Sequence, residues 1–487
     1  MSRLIVFAAL AVFGAAALAV SARTLRSGVP AFDTNSRLTA GRLWVRSIQP
    51  NADSAPAYLP RVRLRDGRVR PVVYALAGNN DSNCDPSNPV KRATLYAFDA
   101  ASGKSLWQRS TLGPSRCTTA GPVTGVSMQW VYAGGLDGKM HRYDAANGAE
   151  TRTRGWPFAI TLMADVEKMS ATPTISGRYL YVTTSGFIGD AGHYQGHLVT
   201  IDLTSGHTRV FNSLCSNIHR LLGPRVGSGN YCVAEQSGLF GRGQGTVEPR
   251  TRDVYVVSGN GPWNGRTEWG DTILKLDPSG AKLLDSFTPT NQAGLASADA
   301  DLGSSGPAIL PDIRQGGKTY HLLIQAGKGP ACASCSGAAL RLLNRDNLSG
   351  RAGPGHLGGD LSDAQAPGGS EVLTAPAVWR SPDGRAWDFV ANDSGVAGYR
   401  VVTEAGGRFR LDRVWLDGSG GSTPVIKEGV LYVARGGEMR ALNPSTGSLL
   451  WRSTDIGDIH WQYPMVADHR LFITDQSGRL FAYSLPK

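Results

Sequence analysis

"LYAFDAASGKSLWQRS" (residues 95–110) returns near the C-terminus as "MRALNPSTGSLLWRS" (residues 439–453). Each copy reads as an apolar strand, an Asp or Asn opening a tight turn, a Gly, and an outgoing strand that carries Trp. Fainter copies are "MHRYDAANGAETR", "LVTIDLTSGHTRV", "ILKLDPSGAKLLDSF" and "LRLLNRDNLSG"; more eroded ones are "VAGYRVVTEAGGRFRLDRVW" and the final "LFAYSLPK". The chemistry of the phrase is local. Asp99, Asp144, Asp202, Asp277, Asn344 and Asn443 can accept hydrogen bonds from turn amides two residues on. Gly103, Gly148, Gly206 and Gly447 can supply the positive φ that a hairpin turn needs. Trp107 and Trp451 begin the outgoing strands, where a large ring can wedge between neighbouring sheets. These are structural residues, and no catalysis requires them.

Eight such turns fall near positions 99, 144, 202, 277, 344, 399, 443 and 483. Intervals of about 40 to 75 residues suit four strands and their loops, the period of a propeller blade. The last repeat offers three strands, "YPMVAD", "HRLFITD" and "GRLFAYS", and then the chain stops. "GRLWVRS" (residues 41–47) can supply the fourth, which would pair the two ends of the chain and remove an exposed sheet edge. The expected fold is an all-β, eight-bladed β-propeller over residues 41–487.

Composition agrees. Of 487 residues 61 are Gly and only 18% are charged, and apolar stripes of helical period are nearly absent after the N-terminus. The formal charge of +11 raises the question of an anionic partner. Lys and Arg are scattered, however, and the one dense cluster, "RVRLRDGRVR" (residues 61–70), alternates like a strand with a solvated arginine face. Nucleic acid is therefore not the expected partner.

Met1-Ser-Arg, the apolar run "LIVFAALAVFGAAALAV" (residues 4–20) and "SAR" describe a secretory signal peptide cut after Ala22, with an uncleaved anchor as the alternative. Residues 23–40 then form a flexible linker. No other stretch could cross a membrane, so the body is expected to be exported, to the periplasm or out of the cell, as a monomer. Six cysteines fit an oxidising compartment, and neighbourhood suggests the pairs Cys84–Cys117, Cys215–Cys232 and Cys332–Cys335. The "CASC" of the last pair could also be a redox pair or half a zinc site, but a second CxxC and a flanking His are missing. It does not attach haem, because Ser336 stands where His would be required.

The phrase A-x-D-x-x-x-G-x-x-x-W at Ala97 to Trp107, with its Asn variant at Ala441 to Trp451, resembles the tryptophan-docking repeat of the quinoprotein alcohol-dehydrogenase-like propellers. That superfamily holds enzymes using pyrroloquinoline quinone (PQQ) and non-catalytic members such as the outer-membrane protein-assembly propeller. "SGNGPWN" (residues 258–264) is similar to the enzyme segment whose Asn binds calcium beside PQQ, which makes Asn260 a candidate metal and cofactor ligand. "ADADLGSSGPAIL" (residues 298–310) sits where the enzymes carry their catalytic Asp; the resemblance implies Asp301, with Asp299 as the fallback. "IQAGKGP" (residues 324–330) looks like the segment whose basic residue contacts the quinone, which points to Lys328.

The sequence also departs from the enzymes. They present adjacent cysteines beneath the quinone, where "SRCTTAG" offers Cys117 alone. They supply a Glu metal ligand before the third turn, where "SGFIGDAGHYQGHLVTID" (residues 185–202) has none and Asp190 lies close by but offset. Nothing else offers a rival active site: HExxH, GxSxG and Walker loops are all missing. The missing Glu and Cys pair favour an exported propeller with a degenerate quinone site, binding a protein, glycan or small ligand at its face or central funnel. The alternative is a PQQ- and calcium-dependent alcohol or sugar dehydrogenase, favoured by Asn260, Asp301 and Lys328 in matching order.

Overall fold

The computed structural model describes residues 40–78, 84, 92–225, 227, 229–243 and 245–486. The expected signal peptide and all but the last residue of the expected linker lie outside them. No helix among the described residues is long and apolar enough to cross a membrane.

Eight antiparallel sheets of four core strands follow one another along the chain and make an eight-bladed β-propeller. Blade 1 consists of Ala57–Arg63, Val69–Ala77, Arg92–Asp99 and Ser105–Leu112. Blades 2 to 7 occupy residues 123–159, 174–212, 246–287, 308–365, 377–417 and 425–453. Blade 8 takes Met465–Ala467, Arg470–Thr474 and Arg479–Ser484, and its outer strand is Gly41–Ser47 from the other end of the chain. That strand pairs in register with the last one, Val45 opposite Phe481 and Ser47 opposite Arg479, as the sequence led us to expect.

Each joint between neighbouring blades holds its own apolar cluster. Blade 1 meets blade 2 through Tyr74, Trp107, Val131 and Tyr143. The joint of blades 8 and 1 packs Trp44, Phe472 and Leu480 on Tyr58, Val73 and Phe98. The other six joints are built alike. Core strands are buried on both faces, which is why they read as continuous apolar runs rather than as alternation.

The repeated phrase does what its residues suggest. Asp99 Oδ1 accepts from the amides of Ala101 (3.0 Å) and Ser102 (2.9 Å), and Asp144 and Asp202 repeat the pattern. Asn344 and Asn443 accept from the amide two residues on, and Asp277 from several turn amides. Gly148 has φ +68° and carries no Cβ because one would stand 2.6 Å from the ring of Trp107. The Trp107 Nε1 donates across the joint to Ala145 O at 3.0 Å. Two tryptophans outside the best copies repeat this docking: Trp44 donates to Ala100 O (3.2 Å) and Trp415 to Pro444 O (2.8 Å). Trp451 reaches Ala40 O (3.2 Å), so the N-terminal chain stands in for a turn that blade 8 does not have.

Two of the expected turns are displaced. Tyr399 lies within the strand Gly395–Thr403, and the turn of blade 6 is at Glu404–Gly407. Tyr483 is in the last strand, opposite Arg42, because that blade closes by pairing rather than by turning. The arginine segment 61–70 is a hairpin, not one strand: Arg61 and Arg63 end its first arm, and Arg65 and Arg68 lie exposed in the turn region. All three disulfides form between the expected partners. They fit an oxidising, extracytoplasmic compartment.

Candidate functional site

Adjacent strands run antiparallel, so the loops joining second to third strands and those joining one blade to the next gather at the end opposite the Asp turns. Four such loops carry the residues singled out above. Asp190 follows Tyr179–Gly186, Asn260 follows Val254–Val257, and Lys328 follows Leu322–Ala326. Asp299 and Asp301 precede Ala308–Ile309, the first strand of blade 5.

The structure brings these residues together: Asp190, Asp299, Asp301 and Lys328 line one cavity of about 290 Å³, and the buried Asn260 is hydrogen-bonded to all three of these acids. Asp301 is buried; its Oδ2 lies 2.6 Å from Lys328 Nζ and its Oδ1 accepts from the Asn260 amide at 2.8 Å. A Cβ at Gly259 would meet that same Oδ1 at 2.2 Å, so the Gly in "SGNG" is what lets the carboxylate reach the backbone. Lys328 Nζ also stands 3.6 Å from Asp299 Oδ2 and donates to Asp299 O at 3.3 Å. Asn260 Nδ2 donates to Asp190 Oδ2 (3.2 Å) and Asp299 Oδ1 (3.3 Å). Asp190, which seemed offset in the sequence, is thus drawn to Asn260, and Tyr194 and Gln236 hold it there.

Burial pushes the Asp301 pKa up, and the Lys328 ammonium only partly offsets that. On Lys328 burial works against the charge, but the Asp301 carboxylate outweighs it and the pKa is raised. Behind them Asp271, fully buried, is pushed up to about 8 by desolvation; it accepts from the amide of Leu302 at 3.0 Å and so fixes the chain next to Asp301.

Another part of the lining is cationic and aromatic, and sequence reasoning missed it. Arg242 is buried, donates to Thr119 O and Ser170 O, and lies 4.7 Å over the ring of Trp461. Burial lowers its pKa to about 10, and burial lowers that of Lys168, also on the wall, to about 8. Phe240 lines the cavity as well. Cys117 is not alone: it is bonded to Cys84, and Cys84 faces the cavity with the disulfide packed on Phe187. No spacing rule could have found Lys168, Arg242 and Trp461, since they come from segments far apart in the chain, Lys168 from the short strand Glu167–Met169.

The buried Glu167 does not supply the Glu that the sequence lacks, because it accepts from Thr161 and the Gln195 amide and lies 3.1 Å from His197 Nε2. Asn260 Oδ1, in contrast, is buried without a hydrogen-bond partner. Its amide nitrogen serves two carboxylates that a cation could serve if the amide turned over to present that oxygen. The oxygen-only donors around it, Asn260, Asp190 and Asp299, suit a hard cation. Those carboxylates are not drawn tightly together. Among the described residues the group of three metal-capable side chains within 4.8 Å is Cys215, Cys232 and Glu268, where the cysteines are disulfide-bonded. Trp269 is structural: it is buried in the joint of blades 3 and 4 and donates to Ser216 Oγ at 2.9 Å.

The comparisons agree with this architecture. A family model described as outer membrane protein assembly factor BamB matches residues 91–210 and 376–485. No curated protein matches the chain. Among solved structures, the quinohemoprotein alcohol dehydrogenase ADHIIG of Pseudomonas putida HK5 is similar at a TM-score of 0.59 and 13% identity, over 92% of this chain and 76% of that one. The quinohemoprotein alcohol dehydrogenase of Comamonas testosteroni gives 0.59 and 12%, over 91% and 76%. A europium-containing methanol dehydrogenase gives 0.57 and 14%, over 92% and 93%. At such identities the likeness is one of fold. The molecule is an eight-bladed β-propeller, the fold it shares with these quinoprotein alcohol dehydrogenases. The match of residues 91–210 and 376–485 to the family model is consistent with a PQQ-like β-propeller family.

Proposed function

We propose that this cavity binds PQQ with a hard cation and that the chain is an exported PQQ-dependent dehydrogenase of alcohols or sugars. The observation that carries the reading is the buried, unpartnered Asn260 Oδ1, set among Asp190, Asp299 and Asp301 with Lys328 alongside. Asn260 and Asp190 would hold calcium, and Asp299 would join them for a cation of higher charge, such as the europium named for one structural neighbour. PQQ, when bound, would supply the two-electron acceptor that no side chain provides.

The chain's own residues have separable tasks in this reading. Lys168 and Arg242 offer two cations to an anionic ring system, and Phe240 and the Cys84–Cys117 disulfide offer it flat, weakly polar walls. Asp301 is the base that takes the hydroxyl proton of the alcohol, its burial giving it the affinity the task needs. Lys328 keeps that carboxylate oriented and ionised until substrate arrives. The disulfides support a site outside the cytoplasm, and a leader over residues 1–22 would carry the chain there.

A second reading, a propeller that binds a protein at this face without turnover, has one observation in its favour. The family model described by an assembly factor matches the repeats and leaves out residues 211–375, where Asn260, Asp301 and Lys328 lie. Reconstitution separates the two. Purified protein is incubated with PQQ and calcium, or with PQQ and europium, desalted, and assayed for retained quinone absorbance and dye-linked alcohol oxidation. Stoichiometric retention, abolished by Asn260→Ala with Asp301→Ala, is the expected result. A wild-type protein that retains no quinone with either ion overturns the dehydrogenase reading.

A further inference from the structure

A second cavity, of about 490 Å³, opens on the same face and shares Glu371, Leu373, His460 and Trp461 with the first. It lies among the loops of blades 6, 7 and 8, and its lining differs in kind. Asn392 is saturated: its Nδ2 donates to Pro367 O and Ser370 O, and its Oδ1 accepts from the amides of Ser394 and Gly395. Thr374 donates to Ala391 O and Thr423 accepts from the Ala375 amide. These groups build the wall and leave nothing over for a ligand.

Others are uncommitted. Ser422 lines the cavity, is only 6% exposed, and its Oγ has no hydrogen-bond partner. Asp393 and Glu371 are exposed acids on the lining, in a chain whose formal charge is +11. Trp461 offers an indole whose ring is steadied by the Arg242 guanidinium at 4.7 Å. An indole, two carboxylates and a buried hydroxyl around a wide polar space match a polyhydroxylated ring. Its C–H face packs on the aromatic plane while its hydroxyls donate to carboxylates and pair with Ser422. A short alkanol would leave the carboxylates and the hydroxyl unused, and a buried polar group left unpaired weakens binding.

We propose that this second cavity is a carbohydrate subsite: a monosaccharide or cyclic polyol sits against Trp461, Asp393 and Ser422, at the wall shared with the cavity that holds Asp301. As a choice of substrate the idea rests on the dehydrogenase reading above, but binding at the subsite does not need the quinone.

Calorimetric titration of the quinone-free full-length protein tests it, with D-glucose, D-xylose and myo-inositol as probes and ethanol, 1-butanol and n-butylamine as controls. At least one cyclic polyol is expected to bind and the controls are not. Asp393→Asn is expected to weaken that binding about tenfold, and Ser422→Ala about threefold to tenfold, with the thermal transition of both variants unchanged. Trp461→Ala should abolish it, and the two polar variants keep the test decisive if that protein does not fold. The subsite is overturned if none of the cyclic polyols binds, if n-butylamine binds instead, or if the polyol binds equally well to Asp393→Asn and Ser422→Ala. Polyol binding by a protein that retains no quinone would sink the dehydrogenase reading and leave the subsite standing. Quinone-dependent oxidation of 1-butanol with no polyol binding would do the reverse.

Discussion

The two ends of the propeller are built from different kinds of residue relationship. At the turn end every important contact is short-range in sequence or lies between successive repeats: Asp99 with Ala101 and Ser102, Trp107 with Gly148 and Ala145. At the loop end the contacts leap across the chain, Asn260 to Asp190 and Asp301, Arg242 to Thr119 and Ser170. The turn end makes the ring. The loop end spends the rigidity of that ring on holding charges that water would otherwise scatter. Changes at one end should therefore damage stability, and changes at the other should damage chemistry.

The largest expected effect is at the loop end. Asp301→Asn keeps the shape of the side chain and still accepts from the Asn260 amide, but it cannot take a proton; reconstituted oxidation should fall by about 10²- to 10⁴-fold. The midpoint of urea unfolding should move little beside that loss. A variant as active as the wild type would remove Asp301 from the chemistry and break the contrast between the two ends.

At the turn end Trp107→Ala should cost about 3–5 kcal/mol, since it empties part of the joint between blades 1 and 2 and leaves the Ala145 carbonyl with one donor fewer. Urea unfolding measures it, and quinone retained per folded molecule should not change. The Cys84–Cys117 disulfide belongs to both classes. It ties residues 33 apart, worth about 3–4 kcal/mol in the chain-entropy account, and it faces the cavity. Cys84→Ser with Cys117→Ser should lower stability and quinone retention together, the one double change expected to do so.

This division explains what could be read from the sequence. Asp99, Asp144, Asp202 and the glycines after them announce a turn because their partners lie two to four residues away, and the turns count the blades. The closing strand 41–47 was legible because a blade with three strands lacks a fourth. Tyr399 and Tyr483 misled because the phrase there is eroded: blade 6 turns later, at Glu404–Gly407, and in blade 8 the strand holding Tyr483 pairs with residues 41–47 instead of turning into a fourth strand. Asn260, Asp301 and Lys328 were singled out as candidates by resemblance, and Asp190 by proximity to a missing Glu. Their meeting could not be read from spacing. Lys168, Arg242 and Trp461 leave no trace in sequence at all, because only the closed ring brings their segments to one cavity.

A smaller effect sharpens the contrast through pH. Asp271 supports the loop end from behind, and its folded pKa of about 8 lies above the value of an exposed carboxyl. Its folded form prefers the proton, so the group costs nothing below about pH 4, where both states hold one. The penalty then grows as pH rises towards 8, because the unfolded chain releases its proton and the folded one does not. Asp271→Asn removes the charge and can still accept from the Leu302 amide. It should raise the melting temperature by a few degrees at pH 8 and by next to nothing at pH 4. An advantage that is the same at both values would mean the carboxyl is not held neutral.

The smallest effect belongs to a loop at the loop end that stands outside the cavity wall. Cys332 and Cys335 are three residues apart, Cys335 is exposed, and the loop between them packs on no apolar cluster. Closing so short a loop removes little freedom from the unfolded chain, about 1.6–1.9 kcal/mol, against the larger amount for the bridge spanning 33 residues. Spread over the unfolding entropy of a ring this size, that is a shift of about 1–2 °C. Cys332→Ser with Cys335→Ser should therefore melt almost with the wild type, bind quinone equally and keep its activity. If activity falls while the melting temperature and quinone content stay, the "CASC" loop takes part in the redox chemistry. It would then share the task of the cavity, despite lying outside its wall.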